Sequence, residues 1–184
     1  TEYELADESE LKFEYPPIKL NHLQTMTDNT GMLQHARYSI PDRSHGYCTD
    51  DNARALLLSV MLQDDVQDVD ELNRLSSIYL SYIDFAWNPE KGRFRNFMSY
   101  SRDWLDEEGT EDSNGRAIWA LGDAAASSSR NNFYLHSNSL FRMSFPVVRS
   151  IFHPRALAYS MLGLTYYVKT HGDAEVIELL KEKA

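Results

Sequence analysis

Two segments of this chain repeat one pattern of polar and charged residues immediately before an apolar run. Residues 49–56 read TDDNARAL and residues 111–118 read EDSNGRAI, so aspartate, asparagine, arginine and alanine recur in register. Carboxylates at corresponding positions of repeated units could act together, one as a general acid and one as a general base. The residue types and their spacing therefore predict loops that deliver polar groups to a common centre.

A weaker third copy in residues 152–157 keeps only Arg155, Ala156 and the apolar residue that follows. Each of the three copies leads into a run that is apolar on almost every side, which is typical of a buried helix. Units that repeat in this way indicate helical hairpins that are stacked or arranged in a circle.

The hydrophobic pattern between the copies predicts an all-α fold made of three αα-hairpins. Runs that are apolar on all sides predict inner helices at 53–63, 115–127 and 155–168. Runs with the one-sided spacing of a surface helix predict outer helices at 70–86, 138–152 and 173–183. The segments 33–49 and 90–112 are predicted to be loops. Residues 18–184 then form one helical domain, and residues 1–17 form an acidic, extended lead-in.

Composition limits the classes of partner and the location of the protein. The chain has 18 Lys and Arg against 28 Asp and Glu, a formal net charge of −10, which argues against a nucleic-acid partner. No apolar stretch approaches the ~18 residues of a membrane span, and no signal peptide is visible at the beginning. Together with the single cysteine, Cys48, these features favour a cytoplasmic protein.

Three segments carry a resemblance to a known family: HGYCTDDNARAL at 45–56, FRNFMSY at 94–100 and EDSNGRA at 111–117. Together they resemble the bacterial six-hairpin (α/α toroid) glycosidase-like domains, in particular the family fused to or encoded beside group 1 glycosyltransferases. The resemblance covers about residues 18–170. It implies a role in carbohydrate metabolism. A closed toroid needs six hairpins, so the three predicted here would be half of one, and the expected partner is a C-terminal half or a glycosyltransferase domain.

The resemblance also implies which carboxylates act on a sugar. In glycoside hydrolysis a carboxylic acid protonates the leaving oxygen while a carboxylate activates water. The candidate catalytic residues are Asp50, Asp51, Glu111 and Asp112. The alternative is structural, because an aspartate at the start of a helix is commonly an N-cap worth about 1 kcal/mol. Which carboxylate is acid and which is base stays open.

Four further polar residues are candidates for binding a substrate. Arg54 and Arg116 begin apolar helices, so each must pair with a nearby carboxylate or contact a sugar hydroxyl or a phosphate. His45 and Tyr47 would line the pocket. One histidine beside Cys48 does not supply the three or four ligands of a metal site, so neither a metal nor a cofactor is expected.

The aromatic residues Tyr100 and Trp104 lie in the predicted loop 90–112, interleaved with arginines. Such rings could form a platform on which the apolar face of a sugar stacks. They could equally form a small core within their own loop. Loops of this length are disproportionately functional.

Three functional hypotheses follow. The first is a carbohydrate-active domain with glycosidase-like or glycosyltransferase-associated activity on an oligosaccharide. The second is a non-catalytic carbohydrate-binding or scaffold module of a glycosyltransferase. The third is an α-solenoid that binds proteins. The spacings between Arg54, Arg116 and Arg155, 62 and 39 residues, argue against the third, since solenoid repeats are nearly constant in length.

Overall fold

A computed structural model of the protein describes residues 16–127 and 131–184. Almost all of the predicted lead-in therefore lies outside the described residues. The α-helices are α1 Asn21–Met26, α2 Thr49–Met61, α3 Val69–Ala86, α4 Glu111–Ser127, α5 Asn131–Ser144, α6 Pro154–His171 and α7 Ala174–Lys183. A 3₁₀ helix, Phe145–Ser150, continues α5. The strands are β1 Leu33–Arg37, β2 Ile40–Cys48, β3 Trp87–Asn88, β4 Arg93–Phe94 and β5 Phe97–Met98.

The described part of the chain is mostly helical, as the sequence predicts, and its helices form two layers. The inner layer is α2, α4 and α6, with α4 between the other two. The outer helices α3, α5 and α7 each pack on the inner helix that precedes them. Within the described residues, no helix is both long enough and apolar enough to cross a bilayer.

Position in the inner layer decides how completely each helix is buried. The middle helix α4 is buried from Ser113 to Ala125, apart from Arg116 and Trp119. The helices at the two sides of the layer each keep an exposed stripe, because each has an inner neighbour on only one side. The stripe of α2 is Arg54, Leu58 and Met61, and that of α6 is Arg155, Ala158, Leu162 and Tyr166.

The contact between α4 and α6 depends on glycines that face each other. A Cβ atom added to Gly122 would lie 2.3 Å from the carbonyl oxygen of Gly163. A Cβ atom added to Gly163 would lie 2.3 Å from the carbonyl oxygen of Ile118. The two backbones therefore touch, and this contact fixes the separation and register of the two helices.

The prediction of a purely α fold is wrong, because the segment 33–49 is not an irregular loop. β1 and β2 form an antiparallel hairpin that turns at Tyr38, and β5 adds a third strand beside β2. β3 and β4 form a separate two-stranded pair, and β4 and β5 lie within the second predicted loop, 90–112. Most residues of the hairpin are exposed or only partly buried, so its sequence lacks the alternation of apolar and polar residues that marks a half-buried strand.

The small sheet has its own core and supports the beginning of α2. Its buried side chains pack in one cluster with the helices: Met26, Leu33, Tyr47, Tyr82 and Met98. Just beyond β4, the segment at Arg95 and Asn96 anchors the first residue of α2. The Thr49 hydroxyl donates to the Arg95 carbonyl at 2.6 Å, and the Thr49 N–H donates to the Asn96 carbonyl at 2.8 Å.

Candidate functional site

The three inner helices begin at the same end of the molecule, and ion pairs join their first turns. Arg116 of α4 pairs with Asp50 of α2, and Arg155 of α6 pairs with Asp112 of α4. We call these first turns together the rim. Since the inner helices run parallel, the equivalent positions of the sequence repeat meet there.

The pairs at the rim connect each copy of the repeat to the next one. Asp50 of the first copy forms an ion pair with Arg116 of the second copy. Asp112 of the second copy forms an ion pair with Arg155 of the third. Arg54, the arginine of the first copy, pairs within its own helix. Its Nη2 lies 2.5 Å from Asp50 Oδ2, and its Nη1 lies 3.3 Å from Asp51 Oδ1. The repeat therefore encodes an ion-pair ladder across the inner layer.

The asparagine of the repeat has a structural role in both copies. Asn52 is fully buried; its Oδ1 accepts from the Met32 N–H at 2.9 Å, and its Nδ2 donates to the Met32 carbonyl at 3.4 Å. Asn114 makes the same two bonds to Phe94, at 2.9 and 3.4 Å. Each amide also donates to the carbonyl four residues earlier. Both asparagines thus fasten a preceding segment to the start of an inner helix.

Glu111 holds the connection that leads into α6. Its Oε2 accepts from the backbone N–H groups of His153 and Phe152, at 2.6 and 2.8 Å. These bonds hold the pKa of Glu111 below its ordinary value. A carboxylate committed to two N–H donors is suited to positioning α6 and poorly suited to exchanging protons with a substrate.

Asp50 has the most distinctive electrostatic environment at the rim. Burial raises its pKa, and the nearby carboxylates of Asp51 and Asp112 act in the same direction. The guanidinium groups of Arg116 and Arg54 oppose this shift without cancelling it. The sequence predicts that converging carboxylates raise the pKa of at least one member. The pKa of Asp50 is raised, but burial is the main cause, and the two neighbouring carboxylates contribute less than burial or either guanidinium group.

Asp51 and Cys48 form the N-cap of α2. The Cys48 thiol is buried and donates to Asp51 Oδ2 at 3.1 Å, while the Asp51 N–H donates to the sulfur at 3.4 Å. Burial, and next the Asp51 carboxylate, raise the pKa of Cys48. The thiol is therefore held neutral, which argues against Cys48 as a nucleophile.

His45 and Tyr47 belong to the β1–β2 hairpin and its core. Tyr47 is 1% exposed, and its hydroxyl donates to Asp28 Oδ2 at 2.6 Å. Burial, and next the bond to Asp28, raise the pKa of Tyr47 to about 12. His45 is exposed, and its ring meets that of His35 edge to face at 4.4 Å. These contacts give both residues a structural role in the hairpin and its core, and neither residue takes part in the ion pairs of the ladder.

The contacts of Tyr100 and Trp104 favour the small-core alternative. Tyr100 stacks on Tyr47, with ring centroids 6.2 Å apart. Trp104 packs against the rings of Tyr82 and Phe85, at 5.8 and 5.5 Å. Both side chains thereby support the sheet and α3.

A different aromatic pair lies directly beside the ladder. The rings of Trp119 and Tyr159 are 5.7 Å apart and nearly parallel, at 15°. Arg116 connects this pair to the ladder, because its guanidinium lies 4.2 Å from the Tyr159 ring centroid and its Nη2 donates to the Tyr159 hydroxyl at 2.9 Å. Neither ring is among the site candidates predicted from the sequence. Spacing was the available signal: Trp119 follows Arg116 by three residues and Tyr159 follows Arg155 by four, so each shares a helix face with its arginine.

The rim is open to solvent. A depression of about 380 Å³ lies at the beginnings of α4 and α6, lined by Thr110, Glu111, Asp112, His153 and Arg155. Among residues 16–127 and 131–184, no group of three or more His, Cys, Asp or Glu side chains is arranged to hold a metal ion.

Comparison of the chain with protein-family models, with curated proteins and with solved structures finds no match.

Proposed function

We propose that the rim binds an oligosaccharide and that the protein is a carbohydrate-active domain. The supporting observation is the convergence of four carboxylates and three guanidinium groups at one open end of the inner helices: Asp50, Asp51, Glu111, Asp112, Arg54, Arg116 and Arg155. A sugar hydroxyl both donates and accepts hydrogen bonds, so a surface on which carboxylates and arginines alternate can bind several hydroxyls at once.

The charge balance of the rim favours a neutral sugar. Each of the three arginines is already paired with a carboxylate, at Asp50, Asp51 or Asp112. An anionic ligand such as a phosphate or a uronic acid would have to compete with those carboxylates. The formal net charge of −10 adds a further unfavourable field for an anion.

The fold that we propose for this function is half of an α/α toroid. The parallel inner helices support it, and so does the ladder that joins each copy of the repeat to the next. Both features are expected where hairpins are arranged around an axis. The segments that resemble the six-hairpin family include two of the three ladder copies.

If the domain is catalytic, Asp50 is our candidate general acid and Asp112 our candidate base. Burial raises the pKa of Asp50, which is the direction that a general acid requires. The Asp112 carboxylate lies at the open rim beside the Arg155 guanidinium, where as the base it would accept a proton from the attacking water. Glu111 then positions α6, and Asp51 holds the N-cap residue of α2, Cys48.

A second candidate is a non-catalytic carbohydrate-binding or scaffold module of a glycosyltransferase. The observation that favours it is that each rim carboxylate already has a cationic or N–H partner. A network of that kind holds helices together and still presents hydrogen-bonding groups to a sugar. Binding without turnover would distinguish this candidate from the first.

The test is calorimetric titration of the protein with cellohexaose, maltohexaose, mannohexaose and xylohexaose, with chromatography of the products. We expect at least one hexasaccharide to bind. Asp112→Asn should weaken that binding about tenfold to a hundredfold, because a hydrogen bond to a charged group contributes about 1.5–3 kcal/mol. A catalytic domain should also lose at least about a hundredfold in turnover with Asp50→Asn. Asp70→Asn, an exposed carboxylate in the first turn of α3, is the matched control and should change neither quantity.

The titrations and the product analysis distinguish the two candidate functions. Turnover that disappears in folded Asp50→Asn while binding remains identifies a catalytic domain. Binding by the wild type without turnover identifies the binding module. Failure of all four hexasaccharides to bind would contradict the proposal, as would binding that neither rim variant changes. Circular dichroism melting curves establish that each variant is folded.

A further inference from the structure

Trp119 of α4 and Tyr159 of α6 project from the inner layer on the side of the exposed stripes. Both side chains are partly exposed, whereas their neighbours Ile118, Ala120 and Ser160 are fully buried. Trp119 lies about one helical turn beyond Arg116, and Tyr159 about one turn beyond Arg155. The two rings therefore form an aromatic surface that begins where the ladder ends.

Arg116 holds this surface in a fixed relation to the carboxylates. The same guanidinium pairs with Asp50, donates to the Tyr159 hydroxyl and lies over the Tyr159 ring. A planar donor held by three contacts loses little freedom when a ligand binds. The orientation of Tyr159, and of Trp119 stacked beside it, is thereby set before a ligand arrives.

An aromatic surface beside alternating donors and acceptors matches the two sides of a sugar ring. A pyranose whose hydroxyls are equatorial presents C–H bonds on its faces and hydroxyls around its edge. The face of an aromatic ring is electron-rich and attracts the slightly positive C–H hydrogens. A pyranose stacked on these rings would direct its edge hydroxyls towards Asp50, Asp112 and Arg116.

We propose that Trp119 and Tyr159 form a stacking subsite for one neutral, equatorially substituted pyranose ring of the oligosaccharide bound at the rim. This inference rests on the proposed function and adds to it the class of sugar and the residues that select it. Trp119 contributes the larger aromatic surface. Tyr159 stacks beside Trp119 and orients it, and it contacts Arg116 through its hydroxyl and its ring face.

The test compares variants in calorimetric titration with the hexasaccharide that binds the wild type most tightly. Trp119→Ala should lose about tenfold to a hundredfold in affinity, the range for truncating a buried aromatic anchor. Trp119→Phe and Tyr159→Phe keep a ring and should stay within about threefold of the wild type, since an aromatic face is retained. Trp87→Phe is the matched control: Trp87 packs on Phe94 and not on the Trp119–Tyr159 pair, so this variant should leave the affinity unchanged.

A second measurement needs no substitution. N-bromosuccinimide oxidises accessible indoles, and peptide mass spectrometry locates the oxidised tryptophan. We expect the bound hexasaccharide to protect Trp119 from oxidation in the wild-type protein. If a hexasaccharide binds but Trp119→Ala keeps full affinity and Trp119 is not protected, the stacking subsite is wrong and the proposed function stands. If no hexasaccharide binds, both proposals fail together.

Discussion

The sequence repeat contains residues with a structural role and residues that are candidates for function. Asn52 and Asn114 belong to the structural group. From sequence, an asparagine near the start of a helix looks like a cap. In the structure each amide instead fastens a segment about twenty residues earlier in the chain, at Met32 and at Phe94. The aspartates and arginines of the repeat face the rim. Spacing along the chain could not predict this division, because it depends on which segment packs against the helix.

The candidate site was predictable from sequence in one respect only. Register alone indicates that Asp50, Asp112 and Arg116 share one end of the assembly. It does not indicate which residues pair between neighbouring helices. The ladder links each aspartate to the arginine of the next copy, and that arrangement becomes visible only when the helices are packed.

Asp123 gives a prediction about pH and stability. Its side chain is buried, 7% exposed, and Oδ1 accepts from the Ser127 hydroxyl at 3.0 Å. Burial raises its pKa above the ordinary value of 3.8. The folded protein therefore holds this proton more tightly than the unfolded chain does. Stability decreases as the pH rises from 3.8 through the raised pKa, and the deficit persists at neutral pH.

Asp123→Asn removes that deficit and keeps an acceptor for Ser127. We expect the variant to have a higher free energy of unfolding than the wild type at pH 8, by an amount that shrinks as the pH falls towards 4. Urea denaturation at several pH values measures this difference. Asp64→Asn, at an exposed position, is the control and should give a much smaller dependence. A variant less stable than the wild type at pH 8 would mean that the Asp123 carboxylate is favourably bound.

At the scale of the elements, sequence patterns predicted helices well and the small sheet poorly. Alanine and leucine recur on every side of α4, and only a helix in the middle of a layer can bury all of them. The β1–β2 hairpin forms by pairing its own strands while most of its side chains remain exposed or only partly buried. Its sequence consequently lacks the period of two on which strand prediction depends.

The α4–α6 contact gives a prediction for Gly163→Ala. In an exposed helix position, replacing glycine with alanine stabilises by about 1 kcal/mol. Here the new Cβ would meet the carbonyl oxygen of Ile118, so the two helices must separate. We expect a loss of about 1–3 kcal/mol in the free energy of unfolding, typical of an overpacked core.

Urea denaturation measures whether Gly163→Ala raises or lowers the free energy of unfolding. Ala158→Gly, on the exposed stripe of the same helix, is the control and should lose about 1 kcal/mol through helix propensity alone. A Gly163→Ala variant as stable as the wild type, or more stable, would show that α4 and α6 are not in backbone contact.

At the scale of the whole molecule, the outer helices cover one side of the inner layer, and the other side carries the candidate site. The exposed stripes of α2 and α6 include large apolar residues: Leu58, Met61, Leu162 and Tyr166. Trp119 and Tyr159 are exposed on the same side, next to Arg116 and the rim. In the proposed toroid this side would face the central axis, so the rim and the aromatic subsite would belong to one central cavity.

Hydrogen–deuterium exchange with and without the tightest-binding hexasaccharide is the most direct test of whether the rim binds the oligosaccharide. The first N–H groups of a helix lack partners within the helix, so their exchange responds to a ligand bound at the rim. If the rim binds the hexasaccharide, we expect the ligand to slow exchange in residues 49–54, 111–116 and 152–156. Slower exchange confined to the β1–β2 hairpin, or to the groove between α3 and α5, would place the ligand elsewhere and contradict binding at the rim.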